Sequence, residues 1–141
     1  HSIADLKAFF TELFGRISLQ SQMHRQQQED EIVARVKETV QKRYMEPGLS
    51  LSSIAQDEET TAEVLGDLFR LAEGLSVAKY INQVRFDHAR ELLLSTDLSV
   101  AEIAQRTGFS NAQYFFTLFK ASFGQTPSEY RHADGGEAQL V

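Results

Sequence analysis

The chain contains no cysteine and only two prolines, Pro47 and Pro127, among its 141 residues. The first absence removes any disulfide framework and any thiolate metal site, and it agrees with a reducing cytoplasm. No apolar run reaches the roughly 18 residues of a membrane span, so no membrane contact is expected. The opening "HSIADLKAFF" also lacks the charged head and cleavage site of a signal peptide. Because the chain begins with His1 rather than methionine, it is read as a fragment of a longer protein.

A reactive constellation is missing as well. The four histidines, His1, His24, His88 and His132, stand far apart and lack metal-ligand spacing. Serine, histidine and aspartate occur without a nucleophile elbow or phosphate loop. Neither an enzyme nor a cofactor or metal site is expected.

The chain also lacks an excess of basic charge. Its net charge is −6, where a nucleic-acid binder usually carries a basic footprint. The distribution sharpens the point. Residues 1–48 hold seven bases and seven acids, residues 49–75 one base and six acids, residues 76–131 six bases and five acids, and the tail two acids. The acidity therefore sits in one short segment, around "QDEETTAEVLGDLF".

What is present is helical periodicity throughout, with no convincing strand. Ile3, Leu6, Phe10, Leu13 and Ile17 step by three and four, so they form one stripe of an amphipathic N-terminal helix that Phe9 and Phe14 widen. "LQSQMHRQQQED", from Leu19 to Asp30, has no burying face and is either a solvated helix or a linker; it marks the domain boundary. Ile32, Val33, Val36, Val40 and Tyr44 restore a stripe, which "EPG" at 46–48 ends. Ser99 with Glu102 and Thr126 with Glu129 read as capping boxes. Between the short helices, Tyr80, Ile81, Val84, Ala89, Leu92 and Leu93 lie along one long amphipathic helix.

The sequence repeats itself. Ile54-Ala55-Gln56 returns 49 residues later as Ile103-Ala104-Gln105, and Leu68-Phe69-Arg70 returns 50 residues later as Leu118-Phe119-Lys120. Gly74 and Gly124, Ser76 and Thr126, and Tyr80 and Tyr130 keep the second offset. Each copy reads as a short helix, a turn and a longer helix, with apolar faces of Val64, Leu65, Leu68 and Ala72 in one and Phe115, Leu118, Phe119 and Ser122 in the other. The plan is a tandem helix-turn-helix.

From about Leu49 to Arg131 the sequence resembles the DNA-binding domain of the AraC/XylS family of bacterial transcription regulators. The resemblance is carried by "LSVAEIAQRTGFSNAQYFFTLFKASFGQTPSEYR" and by the linking helix "YINQVRFDHARELL". It implies an all-α fold: two tandem helix-turn-helix subdomains joined by a long linking helix, after the amphipathic N-terminal helix. Residues 1–30 are then a helical linker or the remnant of an upstream sensor or dimerisation domain. Residues 31–131 form the double helix-turn-helix domain, with a first unit at about 49–75, the linking helix at about 77–95 and a second unit at about 99–131. Residues 132–141 are a flexible tail. The implied function is sequence-specific regulation of transcription, as an activator in the cytoplasm, with double-stranded DNA and RNA polymerase as partners. A homodimer through the N-terminal helix is a further expectation.

Subtracting the buried stripe leaves Gln113, Thr117 and Lys120 toward the groove in the second unit, with Asn111 and Ala112 at the entrance. Gln113 can bind adenine through N6 and N7, whereas Lys120 suits phosphate. Thr117 stands where members of the family often carry arginine. Phe116 either touches a thymine methyl or extends the core. In the first unit the matching positions are Glu63, Asp67 and Arg70, two of them acids. Three accounts compete for them. Glu63 completes a capping box with Thr60; or the acids accept from cytosine N4; or the first unit is a weakened reader that leaves affinity to the second unit and to dimerisation or a partner protein, the alternative to DNA binding as a whole being a protein-interaction module that keeps the fold. The adopted reading joins the first account to the third.

Overall fold

The computed structural model describes residues 3–140, with the side chains of Ile3, Ala4, Leu13, Phe14, Ile17 and residues 134–140 left out. The described residues form seven α-helices and no strand. They are α1 (Ile3–Arg43), α2 (Leu51–Asp57), α3 (Ala62–Glu73), α4 (Val77–Ser95), α5 (Val100–Arg106), α6 (Ala112–Phe123) and α7 (Pro127–Leu140). Residues 132–140, read from the sequence as a tail, continue α7.

Helix α1 is a single rod of 41 residues, about 60 Å long at 1.5 Å per residue. The polar stretch from Leu19 to Asp30 is thus the solvated helix rather than a break. It holds its shape through pairs four residues apart, including Gln26 with Asp30 at 3.0 Å and Gln28 with His24 at 3.1 Å. Among its described side chains, those buried against the rest of the chain are Val33, Val36 and Val40, in its last third. Toward the N-terminus, Leu6, Phe9, Phe10, Leu19 and Met23 are more than half exposed. Of the predicted stripe, Leu6 and Phe10 therefore have no cover within the described residues; the side chains of Ile3, Leu13 and Ile17 lie outside them.

Two cores follow one another along the chain. The first unites Val33, Val36 and Val40 of α1 with Ile54, Leu65, Phe69, Val77, Ile81 and Val84. The second unites Phe86, Ala89 and Leu93 of α4 with Ile103, Ala104, Phe109, Phe115 and Phe119. Helix α4 thus serves both units, handing over between Val84 and Phe86. The repeat also holds in packing: Phe69 meets Tyr80 at 5.5 Å, and Phe119 meets Tyr130 at 5.7 Å.

The apolar faces read from the sequence need correction. Leu65 and Phe69 are the buried pair of α3, while Val64 is 58% exposed and Ala72 is exposed. In α6, Phe115 and Phe119 are buried, Leu118 is partly so, and Ser122 is exposed. Buried side chains four apart stack on one side of a helix, and Val64 sits about 100° away from that side.

Candidate nucleic-acid interface

Each unit needs a sharp turn and a firmly started second helix. In the second unit the turn uses Gly108 at φ +97°, and in the first Glu59 takes the matching place at φ +57°. The backbone bonds correspond: Phe109 N–H donates to Ala104 O and Thr60 N–H to Ala55 O, both at 2.9 Å. Because Thr60 is spent closing the turn, α3 is capped by Thr61, whose hydroxyl accepts from Val64 N–H at 3.2 Å. The predicted Thr60–Glu63 capping box is therefore not formed. Glu63 lies in the first turn, where its charge suits the helix dipole without making a cap. Asn111 holds the equivalent place in α6, and its Oδ1 accepts from Gln113 N–H at 2.8 Å and from Tyr114 N–H at 3.2 Å. Of the capping boxes expected at Ser99 and Thr126, the hydroxyl half is formed, each hydroxyl accepting from the backbone N–H of Glu102 and Glu129 respectively, while the reciprocal bond from the glutamate side chain is not formed among the described residues. Gly74 and Gly124 close α3 and α6 in the left-handed conformation.

On these frames the named side chains all reach solvent. Asn111, Gln113, Thr117 and Lys120 are exposed along α6, and Glu63, Asp67 and Arg70 along α3. Lys120 is the only charged residue of α6. The acids of the first unit divide into two groups. Glu58 meets Arg35 at 3.0 Å, Asp57 meets Arg43 at 3.0 Å and Glu73 meets Lys37 at 3.1 Å, so three of the six bind α1. The hydrogen bonds that Arg35 donates to the Glu58 carboxylate also raise the pKa of Arg35. The other three, Glu59, Glu63 and Asp67, make no ion pair among the described residues. Half of the acidity thus fastens the first unit to α1, and the rest stands on the turn and on the outer face of α3.

Sequence reasoning missed several contributors. Tyr114 is 54% exposed, one residue after Gln113 and three before Thr117. Leu71, 87% exposed, extends the stripe of Val64 and Asp67. The step of three and four that identified groove-facing positions would have found both. Arg131 of α7 donates to Leu93 O at 2.8 Å and Thr96 O at 3.2 Å, satisfying the end of α4. No local pattern announces that contact.

A family model described as a helix-turn-helix domain matches residues 54–133, more than half of the chain. The chain belongs to the AraC/XylS family. Its relatives include the HTH-type transcriptional activator RhaR of Salmonella dublin, 32% identical over an alignment of 127 residues that covers 85% of this chain and 45% of that protein. The chain thus spans about half the length of the curated relatives it matches. Among solved structures, the C-terminal domain of AraT, a response regulator from Geobacillus stearothermophilus, is 34% identical with a TM-score of 0.71. The match covers 72% of this chain and 84% of AraT's. The DNA-binding domain of AdpA, solved with a target DNA, is 23% identical at a TM-score of 0.71, covering 77% of this chain and 97% of that one; it supports the fold alone. The AraC/XylS family is one of DNA-binding transcription regulators rather than enzymes. No helix among the described residues is long and apolar enough to cross a membrane. Nor does any cluster of three histidine, aspartate or glutamate side chains among them fit a metal ion.

Proposed function

We propose that the chain is the DNA-reading end of a cytoplasmic transcription activator, and that it reads sequence mainly through α6. The observation that carries this reading is the contrast between the two outer faces. Gln113, Thr117 and Lys120 offer a carboxamide, a hydroxyl and one cation with no acid beside them, whereas α3 offers Glu63 and Asp67 before Arg70. A carboxamide suits adenine and an ammonium suits phosphate, while an unpaired carboxylate is repelled by the backbone unless it accepts from cytosine. Tyr114 adds an aromatic edge for a thymine methyl. The Asn111 oxygen is held as a helix cap, so its free amide is the part left for DNA.

In this reading residues 31–131 are the DNA-binding domain and residues 1–30 the lever toward whatever precedes them. The exposed Leu6, Phe9 and Phe10 favour pairing of α1 with a second copy, and RNA polymerase is the partner an activator requires. A second reading, a protein-interaction module, is favoured by one observation: Val64 and Leu71 are exposed beside the unpaired acids of α3. DNA protection mapped with the full-length protein separates the two. Protection over two successive major-groove segments, stronger where the second unit lies, supports the first reading; no protection at any promoter fragment overturns it.

A further inference from the structure

The two hydrophobic cores do not merge. The first ends on α4 at Val84 and the second begins at Phe86, with Arg85 alone between them. Although charged, Arg85 is only 8% exposed. Its Nε donates to Tyr44 O and its Nη2 to Glu46 O, both at 2.8 Å. These carbonyls lie just past the end of α1, where a helix leaves acceptors without partners of its own. The same guanidinium stands over the ring of Phe109, 5.6 Å from its centroid, and Phe109 belongs to the turn of the second unit. The neighbouring Gly108 lets that turn approach: a Cβ there would collide with Tyr44 O and stand 2.7 Å from Arg85 Nε. One turn of helix further on, His88 stacks on Tyr44 with ring centroids 3.9 Å apart.

We infer that Arg85 is a positioning residue for DNA reading: by tying the end of α1 to the turn of the second unit, it fixes the angle between the two helix-turn-helix units. The angle sets which separation of half-sites both units can read together. Each unit packs on a different stretch of α4 through a separate core, and Arg85 adds a direct tie between them beside that shared helix. Burial lowers the pKa of the guanidinium, and two carbonyls and a ring are its partners, so what the charge supplies is geometry rather than an ion pair. The inference rests on the reading that both units approach one duplex.

The test uses the whole chain with Arg85→Met, which keeps an unbranched apolar stem and loses all donors, and Arg85→Lys, which keeps the charge but lacks the planar fork that reaches both carbonyls and the ring at once. Sites enriched by the wild-type chain from random duplexes are lengthened or shortened by one or two base pairs between the protected halves. Wild type should lose about tenfold or more per altered spacing, the order of one mismatch, while both variants should keep all spacings within about threefold of one another. Backbone residual dipolar couplings of the free chain give a readout without DNA. They should fit one alignment for wild type and two, one per unit, for the variants. If a variant weakens every spacing by one common factor and still fits one alignment, Arg85 only stabilises the fold and the inference is overturned. Should Arg85→Met fail to fold, Arg85→Lys decides by the same criteria. If the wild-type chain enriches no sequence, the dipolar couplings alone decide: one alignment for wild type and for both variants overturns the inference.

Discussion

The two copies of the turn place opposite residues at one backbone position, and exchanging them should have opposite effects. Glu59 holds φ +57°, in the left-handed region, where a side chain costs roughly 1–2 kcal/mol. Glycine removes that cost but gives back roughly 0.4–1 kcal/mol in unfolded-chain entropy. Glu59→Gly should therefore stabilise the chain by about 0.5–1 kcal/mol. The matching change, Gly108→Ala, meets the same conformational cost at φ +97°, and its new methyl runs into Tyr44 O and Arg85 Nε. It should destabilise by more than about 2 kcal/mol, since backbone and a doubly bonded guanidinium must both move. Urea unfolding followed by circular dichroism gives both values, with an unchanged slope reporting that only stability moved. Glu59→Ala is the control, because it removes the charge without relieving the backbone and should be close to neutral. The reasoning fails if Glu59→Gly is no more stable than Glu59→Ala, or if Gly108→Ala is tolerated.

Thr61→Ala should cost about 1 kcal/mol as the loss of a helix cap, whereas Thr60→Ala should leave the start of α3 intact; equal losses in thermal unfolding would contradict the assigned cap. Asp67→Arg should tighten DNA binding and steepen the log–log salt slope by up to about 0.9, because it turns a repelled acid into a phosphate contact. Weaker binding at every site would refute the repulsion, and lost discrimination at one base pair would show that Asp67 reads cytosine.

Much of this fold was legible because the sequence states it twice. The offsets of 49 and 50 place both units, and helix starts follow from Ser99 and Thr126. The same offset pairs Asn111 with Thr61, a better guide to the cap of α3 than the local Thr60–Glu63 pattern, which matches a capping box equally well until the turn claims Thr60. The course of α1 was harder to read, since a solvated helix has no buried face to create a periodic signal. The ion pairs that tie it to the first unit were invisible for another reason. Arg35 and Glu58, or Lys37 and Glu73, lie far apart in sequence, and net charge treats them as a field rather than as pairs. Arg85 and Arg131 were missed similarly, because each satisfies carbonyls about 40 residues away.

The claim that α6 reads DNA is tested most directly by titrating wild type, Gln113→Ala and Lys120→Ala against an enriched site, its single-base variants and random DNA at two salt concentrations. Gln113→Ala should lose about 1–3 kcal/mol on the matched site and almost nothing where one particular base pair is already changed. Lys120→Ala should weaken all sites alike and flatten the salt slope by about one unit. If both variants bind every sequence as wild type does, α6 is not the reader, and the outer face of α3 becomes a surface for protein rather than a weakened partner in DNA recognition.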